Sequence, residues 1–382
     1  MTHSFRRIRR PGAGNVAKRG PSIKQFRALT GLRAFAALWV VVYHLKDVGG
    51  HFHSFGVFDP IVRYGAFGVD VFFVLSGFIL THVYASTFTG RVSLASYGAF
   101  LQNRIARVYP LHIATLAIML LLYLASRQMY HFVPERAEAY SPFSIAANLT
   151  LTQAWFSGVW APNTPAWSIS AEWFAYLLFP LAVLGLTQSR LWVQAAIIPL
   201  ALGVIAVSTP MRPLVQISAE FTIGMGTYLL WKRLRHESPL VQRVGRFTGL
   251  AAIGLIVASL YAFQHPAFWF AALFSAVLIA SLATEHDVLV PLLSAGWVVY
   301  LGEISYSIYM CQWFIWSLWR RGLPRIVHHH IPDLVLMGTA CLAIVGAAAL
   351  AYHYVEVPGR RWLRRGFEYP VATRVLRFLR AR

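Results

Sequence analysis

The stretch Thr30-Gly31-Leu32-Arg33-Ala34-Phe35-Ala36-Ala37-Leu38-Trp39-Val40-Val41-Val42-Tyr43-His44 decides how this chain is read. It is apolar except for a guanidinium near its start and an imidazole at its end. With its flanks the run is long enough to cross a bilayer as a helix. A charge held at bilayer depth is costly and is found facing a bundle interior or a wet cavity. Eleven residues separate Arg33 from His44, about three helical turns and roughly 16 Å along the axis, so both project from nearly one face. One helix thus presents a buried cation and, further along, a titratable ring. That outlines a reaction chamber rather than an anchor.

The rest of the chain agrees with a membrane setting. Of 382 residues, 57% are hydrophobic and 13% charged, with a mean hydropathy of +0.55. A soluble domain of that composition would expose too much apolar surface. The apolar runs are continuous, as over 113–124 and 191–207, which excludes the short alternating strands of a membrane β-barrel. The expected fold class is therefore all-α, a polytopic bundle of about ten transmembrane helices. Hydropathy places them at 27–46, 65–84, 108–125, 168–186, 191–208, 214–231, 247–264, 267–283, 297–319 and 333–355. The stretch 143–157 is interrupted by Asn148, Thr150, Thr152 and Gln153 and reads as interfacial or re-entrant. The proline- and aromatic-rich segment 126–166 is placed to cap a cavity.

With both termini cytoplasmic, the inside segments hold 25 Lys and Arg against eight outside, Arg33 completing the total of 34. That asymmetry supports the orientation. The formal charge of +20 clusters beside the ends of these spans, where anionic lipid is the simpler partner than nucleic acid. The expected organisation is a disordered basic tail at 1–25, a membrane domain at 26–358 and a basic cytoplasmic tail at 359–382. No small-residue cleavage site follows the first apolar helix, so that helix is expected to be retained. Cys311 and Cys341 fall within spans and read as packing residues. His51, His53 and His328–His330 lack carboxylate or thiol partners nearby and read as loop histidines; no metal site is expected.

Polar residues inside the spans are the candidate machinery. Asp70, in Gly68-Val69-Asp70-Val71-Phe72-Phe73, enters its helix at about the depth of His44. It reads either as a carboxylate that orients the imidazole of a general base or as a helix cap. Ser76-Gly77 reads as close packing more readily than as a nucleophile. Arg104 and Arg107, spaced i, i+3 just before the third span, aim two guanidinium forks one way. Such forks suit phosphate or pyrophosphate, or the lipid headgroups of ordinary anchoring. Glu172 lies over a turn inside an apolar helix and must have a partner or be protonated. Ser168, Tyr306 and Gln312 are polar groups able to line a channel or hydrogen-bond between helices. Glu356 with Arg360 reads as a juxtamembrane ion pair.

In this order the segments resemble the acyltransferase 3 family of integral membrane acyltransferases. The matching pieces are Gly31-Leu32-Arg33 to His44, Gly68-Val69-Asp70 to Phe78, and Arg104-x-x-Arg107 with Pro110. Trp167-Ser168-x-Ser170-x-Glu172, Gly302 to Tyr309, and Glu356-x-Pro358-x-Arg360 continue the set, which spans about residues 24–365. The resemblance implies transfer of an acyl group, usually acetyl from acetyl-CoA, to hydroxyls of polysaccharides, lipopolysaccharide or lipid-linked glycans, or of small molecules such as macrolides. It makes His44 the catalytic histidine, Arg33 a required cation, and Arg104 and Arg107 the holders of the CoA phosphates. Many members carry a histidine where this chain has Gln312, which leaves the burden on His44. Acyl-CoA would be a co-substrate rather than a resident cofactor, and the location the inner (cytoplasmic) membrane. In this scheme an acceptor hydroxyl loses its proton to His44, with Asp70 and Glu172 at the same depth and Ser168, Tyr306 or Gln312 stabilising an oxyanion. The rival expectation is a transporter or flippase, which also needs buried polar residues. The absence of an internal repeat counts against it.

Overall fold

A computed structural model describes residues 26–46, 55–129, 136–208, 213–234, 245–262, 268–326 and 333–368. Within them every regular element is helical. The principal helices are α1 (Arg27–Leu45), α2 (Gly68–Phe88), α3 (Leu94–Met129), α4 (Pro142–Leu149), α5 (Ala166–Gln188) and α6 (Leu191–Val207). They continue with α7 (Pro213–Leu234), α8 (Thr248–Ala262), α9 (Phe268–Ala283), α10 (Gly296–Glu303), α11 (Ser305–Ile326), α12 (Asp333–Ala351) and α13 (Val357–Glu368). Among the described residues, five segments are long and apolar enough to cross a membrane: Arg27–Leu45, Gly65–Phe88, Leu94–Ser126, Ala166–Gln188 and Val335–Gly366. Leu191–Val207, Thr248–Ala262 and Trp269–Ala283 are apolar but shorter. The tail 1–25, His51, His53 and His328–His330 lie outside the described residues.

Small residues set how closely the helices approach. A Cβ added at Gly77 would strike the carbonyl oxygen of Phe221, and one at Gly224 that of Val74. Helices α2 and α7 therefore touch backbone to backbone, with Phe78, Ile223 and Met225 sealed around the crossing. Helix α1 is approached as closely from two sides: Gly302 of α10 abuts the Thr30 carbonyl, and Gly31 abuts the carbonyl of Leu293, at the end of the short helical turn Val290–Leu293 that precedes α10. Without water to squeeze out between lipid-facing helices, such close van der Waals contact is what holds membrane helices together.

Three elements differ from the hydropathy reading. Helix α3 begins at Leu94 rather than near 108, so Arg104 and Arg107 lie inside a continuous helix with Pro110 also within it. Hydropathy passes over that polar first third, whose arginines point into protein. The span expected at 297–319 is broken at Ile304, whose φ of −84° and ψ of 3° leave the helical region. Gly302 is pressed onto α1 on one side of the break, and Ser305 is bonded to Arg33 on the other. The last span does not stop at 355. It widens into a π-helical turn at Tyr352–Glu356 and continues through Pro358 as α13. Proline lacks the N–H that would close the preceding turn, and a π-turn absorbs that loss without ending the helix.

The segment expected to be interfacial or re-entrant folds back on the bundle. Ser141 caps α4 by accepting from Ser144 N at 3.2 Å. Gln153 donates to the Ala166 carbonyl at 2.8 Å, and Ala154 N to Ser170 Oγ at 3.0 Å. These bonds fix the start of α5, which carries Ser168 and Glu172. Cys311 is buried, Cys341 is partly exposed, and both are free thiols.

Candidate active site

Helices α1, α2, α3, α5 and α11 converge on a cavity of about 140 Å³. Arg33 enters it from α1, Ser76 from α2, Arg104 and Arg107 from α3, Glu172 and Tyr176 from α5, and Ser305, Tyr306 and Tyr309 from the start of α11. Val69, Phe72 and Ile79 supply apolar wall. Six of the nine residues singled out from the sequence thus share one cavity: Arg33, Arg104, Arg107, Ser168, Glu172 and Tyr306.

Each charged group is held on one side and open on another. Arg33 Nε donates to Ser305 Oγ at 3.2 Å, and its guanidinium carbon stands 5.9 Å from the Phe72 ring centre. Among the described residues the two terminal nitrogens of Arg33 have no hydrogen-bond partner, and no ion pair joins it to Glu172. Glu172 instead accepts from Ser76 Oγ at 2.9 Å. Arg104 donates through Nη2 to Tyr84 Oη at 3.3 Å and lies over the rings of Tyr84, Phe100 and Tyr176; among the described residues its buried Nε has no partner. Arg107 is ion-paired with the fully buried Glu356 and lies 5.3 Å from the Tyr306 ring centre. The two α3 forks therefore face one cavity while being anchored to different neighbours. Three guanidiniums against one cavity carboxylate, with the N-terminal end of α11 beside them, give the cavity a positive interior suited to an anion.

His44, Asp70 and Gln312 are not among the lining residues. His44 sits one turn beyond Val40, which packs in one cluster with Val69 and Tyr309. Its Nδ1 is 3.0 Å from the Val40 carbonyl oxygen, and its ring stands edge-on to Trp313, one turn beyond Tyr309 on α11. A carbonyl oxygen only accepts, so the neutral ring carries its hydrogen on Nδ1 and its lone pair on Nε2. Asp70 is buried against α7, where Gln216 Nε2 donates to it at 3.0 Å and to Glu220 Oε1 at 2.9 Å. Gln312 is buried, and among the described residues neither end of its amide has a hydrogen-bond partner.

A scan of the chain against family models matches residues 26–353 to the acyltransferase 3 model, described as an acyltransferase domain. The chain belongs to the acyltransferase 3 family. Among curated proteins it is similar to acyltransferase MdmB of Streptomyces mycarofaciens, 29% identical over 92% of this chain and 96% of that one. It is also similar to the Bacillus subtilis (strain 168) protein provisionally named peptidoglycan O-acetyltransferase YrhL, 27% identical over 87% of this chain. This match spans 54% of YrhL, so the chain covers about half the length of that relative. No solved structure matches. The apolar helices and the family together make this a multi-pass membrane acyltransferase.

For an acyltransferase the hydroxyl hydrogens around the cavity matter, because an oxyanion needs donors. Tyr306 gives its one hydrogen to the Val108 carbonyl at 2.6 Å. Ser168 donates to the Pro165 carbonyl at 2.9 Å, and its Oγ is 2.8 Å from Tyr309 Oη, which also reaches that carbonyl at 3.2 Å. These hydroxyls brace the wall; among the described residues, hydrogens without an acceptor remain at the cavity on the Arg33 guanidinium and on the Ser305 hydroxyl, which accepts from Arg33. Sequence reasoning gave no role to Tyr176 and read Ser305 and Tyr309 only among hydroxyls able to line a channel or to hydrogen-bond between helices, since tyrosine and serine in apolar helices are ordinary hydrogen-bonding residues. The juxtamembrane ion pair expected of Glu356 with Arg360 is present, but Glu356 is buried and also gathers Arg107 and Ser307. No spacing in the sequence brings Arg107 to Glu356.

Proposed function

We propose that this acyltransferase moves an acyl group, in the simplest case acetyl, from cytoplasmic acyl-CoA to a hydroxyl of a surface glycan or lipid-linked sugar. The observation that carries the reading is the cavity: Arg104, Arg107 and Arg33 open into it, and it ends about one turn short of His44. In this reading the chain forms about ten spans in the inner membrane with both termini inside, as the 25-to-eight distribution of basic residues supports. The α3 arginines then lie towards the cytoplasm, where they hold the donor's phosphates. Its pantetheine arm runs past the open nitrogens of Arg33, and the thioester stands beside His44.

Chemically, Nε2 of His44 takes the proton of the acceptor hydroxyl as that oxygen attacks the thioester carbonyl. The new C–O bond forms, the C–S bond breaks, and the departing thiolate takes the proton back from the imidazolium. Glu172, steadied by Ser76, and Arg33 keep opposite charges on facing walls. Asp70 contributes as part of the α2–α7 wall through Gln216. An acceptor of the glycan class is supported by the name of YrhL. The second reading, transport or flipping without acyl transfer, is favoured by one observation, the break at Ile304, since discontinuous helices line substrate paths in transporters.

The test uses the full-length protein in vesicles with labelled acetyl-CoA, together with NMR of O-acetyl groups on surface glycan from a deletion strain complemented with His44→Ala. Loss of acetyl transfer with normal expression is expected. Full transfer by the variant would sink the mechanism, and solute movement without acyl-CoA consumption would favour the second reading.

A further inference from the structure

Glu356 does not line the cavity and has no part in the chemistry above, yet it holds Arg107, which does line it. Its carboxylate is wholly buried. Oε1 takes Arg107 as an ion pair and accepts from Arg360 Nη2 at 2.5 Å, while Oε2 accepts from Ser307 Oγ at 2.7 Å. One side chain therefore ties α3, α11 and α13 together. It stands at the last position of the π-helical turn, and α13 is seated on α3 where Gly359 meets Pro110. π-Turns recur at functional sites because they re-aim a side chain. Removing the turn would rotate Glu356 away from Arg107.

Arg107 is the partner that matters. It lines the cavity, and its other contact is the face of the Tyr306 ring, which sets no rotation of the guanidinium. A guanidinium has five hydrogens in a rigid fork, so a carboxylate at one nitrogen fixes where the rest point. Two guanidiniums on one carboxylate also leave the group with one net positive charge, held at the cavity wall.

We propose that Glu356 is a positioning residue: through its ion pair it aims Arg107 at the anionic portion of the acyl donor, with Arg360 and Ser307 fixing the carboxylate. This rests on the reading of Arg107 as a phosphate ligand. With Glu356 neutral, Arg107 and Arg360 repel across a shared site, and Arg107 leaves its aim.

The experiment measures binding of coenzyme A and of pantetheine, which lacks the phosphates, to the full-length protein in nanodiscs. Glu356→Gln should weaken coenzyme A by about tenfold, the worth of one charge-assisted hydrogen bond, and leave pantetheine unchanged. Arg107→Gln should do the same, and the double variant should be no weaker than Arg107→Gln alone, as coupled residues require. Ser307→Ala, which keeps the charge and so the fold, should weaken coenzyme A by about twofold to threefold. Equal loss of both ligands in Glu356→Gln, or losses that multiply in the double variant, would overturn the positioning role. An Arg107→Gln protein that binds coenzyme A normally would instead refute the phosphate assignment on which the role rests.

Discussion

The contact between α2 and α7 offers a quantitative test, because Gly77 sits beside Ser76, which holds Glu172 at the cavity. Gly77→Ala puts a methyl group onto the Phe221 carbonyl and close to Met225 N. Both are helix backbone and neither can swing aside, so the helices must separate. Val74, Phe78, Phe221 and Met225 are all buried at that crossing. A buried side chain makes about 40–60 atom contacts of about 0.1–0.2 kcal/mol each, and a gap of about 0.5–1 Å forfeits a quarter to a half of each. If about half the contacts of those four side chains cross the interface, the loss at the middle of these ranges is about 4–7 kcal/mol. The gain in helix propensity from alanine returns only about 1 kcal/mol. Gly185, in α5, has open space where its Cβ would lie, so Gly185→Ala carries the propensity gain alone. At a few degrees per kcal/mol for a large domain, Gly77→Ala should unfold roughly 5–10 °C below the parent in detergent, and Gly185→Ala at or slightly above it. Tryptophan fluorescence during heating, with size-exclusion elution as a check, reads both. Matching melting temperatures for the two variants would refute the backbone contact and the account of how Ser76 is placed.

Other expectations follow from hydrogen placement and charge. Tyr306→Phe should cost about 1 kcal/mol of stability by unpairing the Val108 carbonyl, yet keep acetyl transfer within about twofold; a large loss of transfer at unchanged stability would return that hydroxyl to the oxyanion. Glu172→Gln should keep the fold and lower glycan O-acetylation at least about tenfold, and Ser76→Ala less than that, since one hydrogen bond to a carboxylate in a wet cavity contributes about 1 kcal/mol. Wild-type O-acetyl content in Glu172→Gln would remove that residue from the site. Asp70→Asn should destabilise by less than about 1 kcal/mol because it still accepts from Gln216, whereas Asp70→Ala leaves one hydrogen of that amide without an acceptor, the other remaining on Glu220, and costs about 2 kcal/mol. Loss of transfer in Asp70→Asn at normal stability would mean that Asp70 serves the imidazole instead.

How far the site was legible depended on whether a residue was expensive where it stood. Arg33 and Glu172 stood out because an ionised group in an apolar helix demands a reason, and both line the cavity. The spacing of Arg104 and Arg107 was also legible, and both face it. Tyr309, Ser305 and Tyr176 were not, because a hydroxyl costs little in a helix that has neighbours to bond. Asp70 was legible as a buried acid but its partner was not: Gln216 and Glu220 are far along the chain, and helix packing alone brings them to it.

What the sequence determined by itself was the helical, membrane-embedded character of the chain and the identity of its costly residues, because both depend on local composition and on transfer energies from water to lipid. The resemblance of its ordered motifs to a known family was legible there too. Only the tertiary structure decided that α3 runs unbroken through its arginines, that the apolar stretch 297–319 breaks at Ile304, and that Glu356 turns inward to hold Arg107. Those outcomes rest on contacts between distant segments, such as Gly302 on Thr30, Ser305 on Arg33 and Gly359 on Pro110, whose energies appear only when the helices meet.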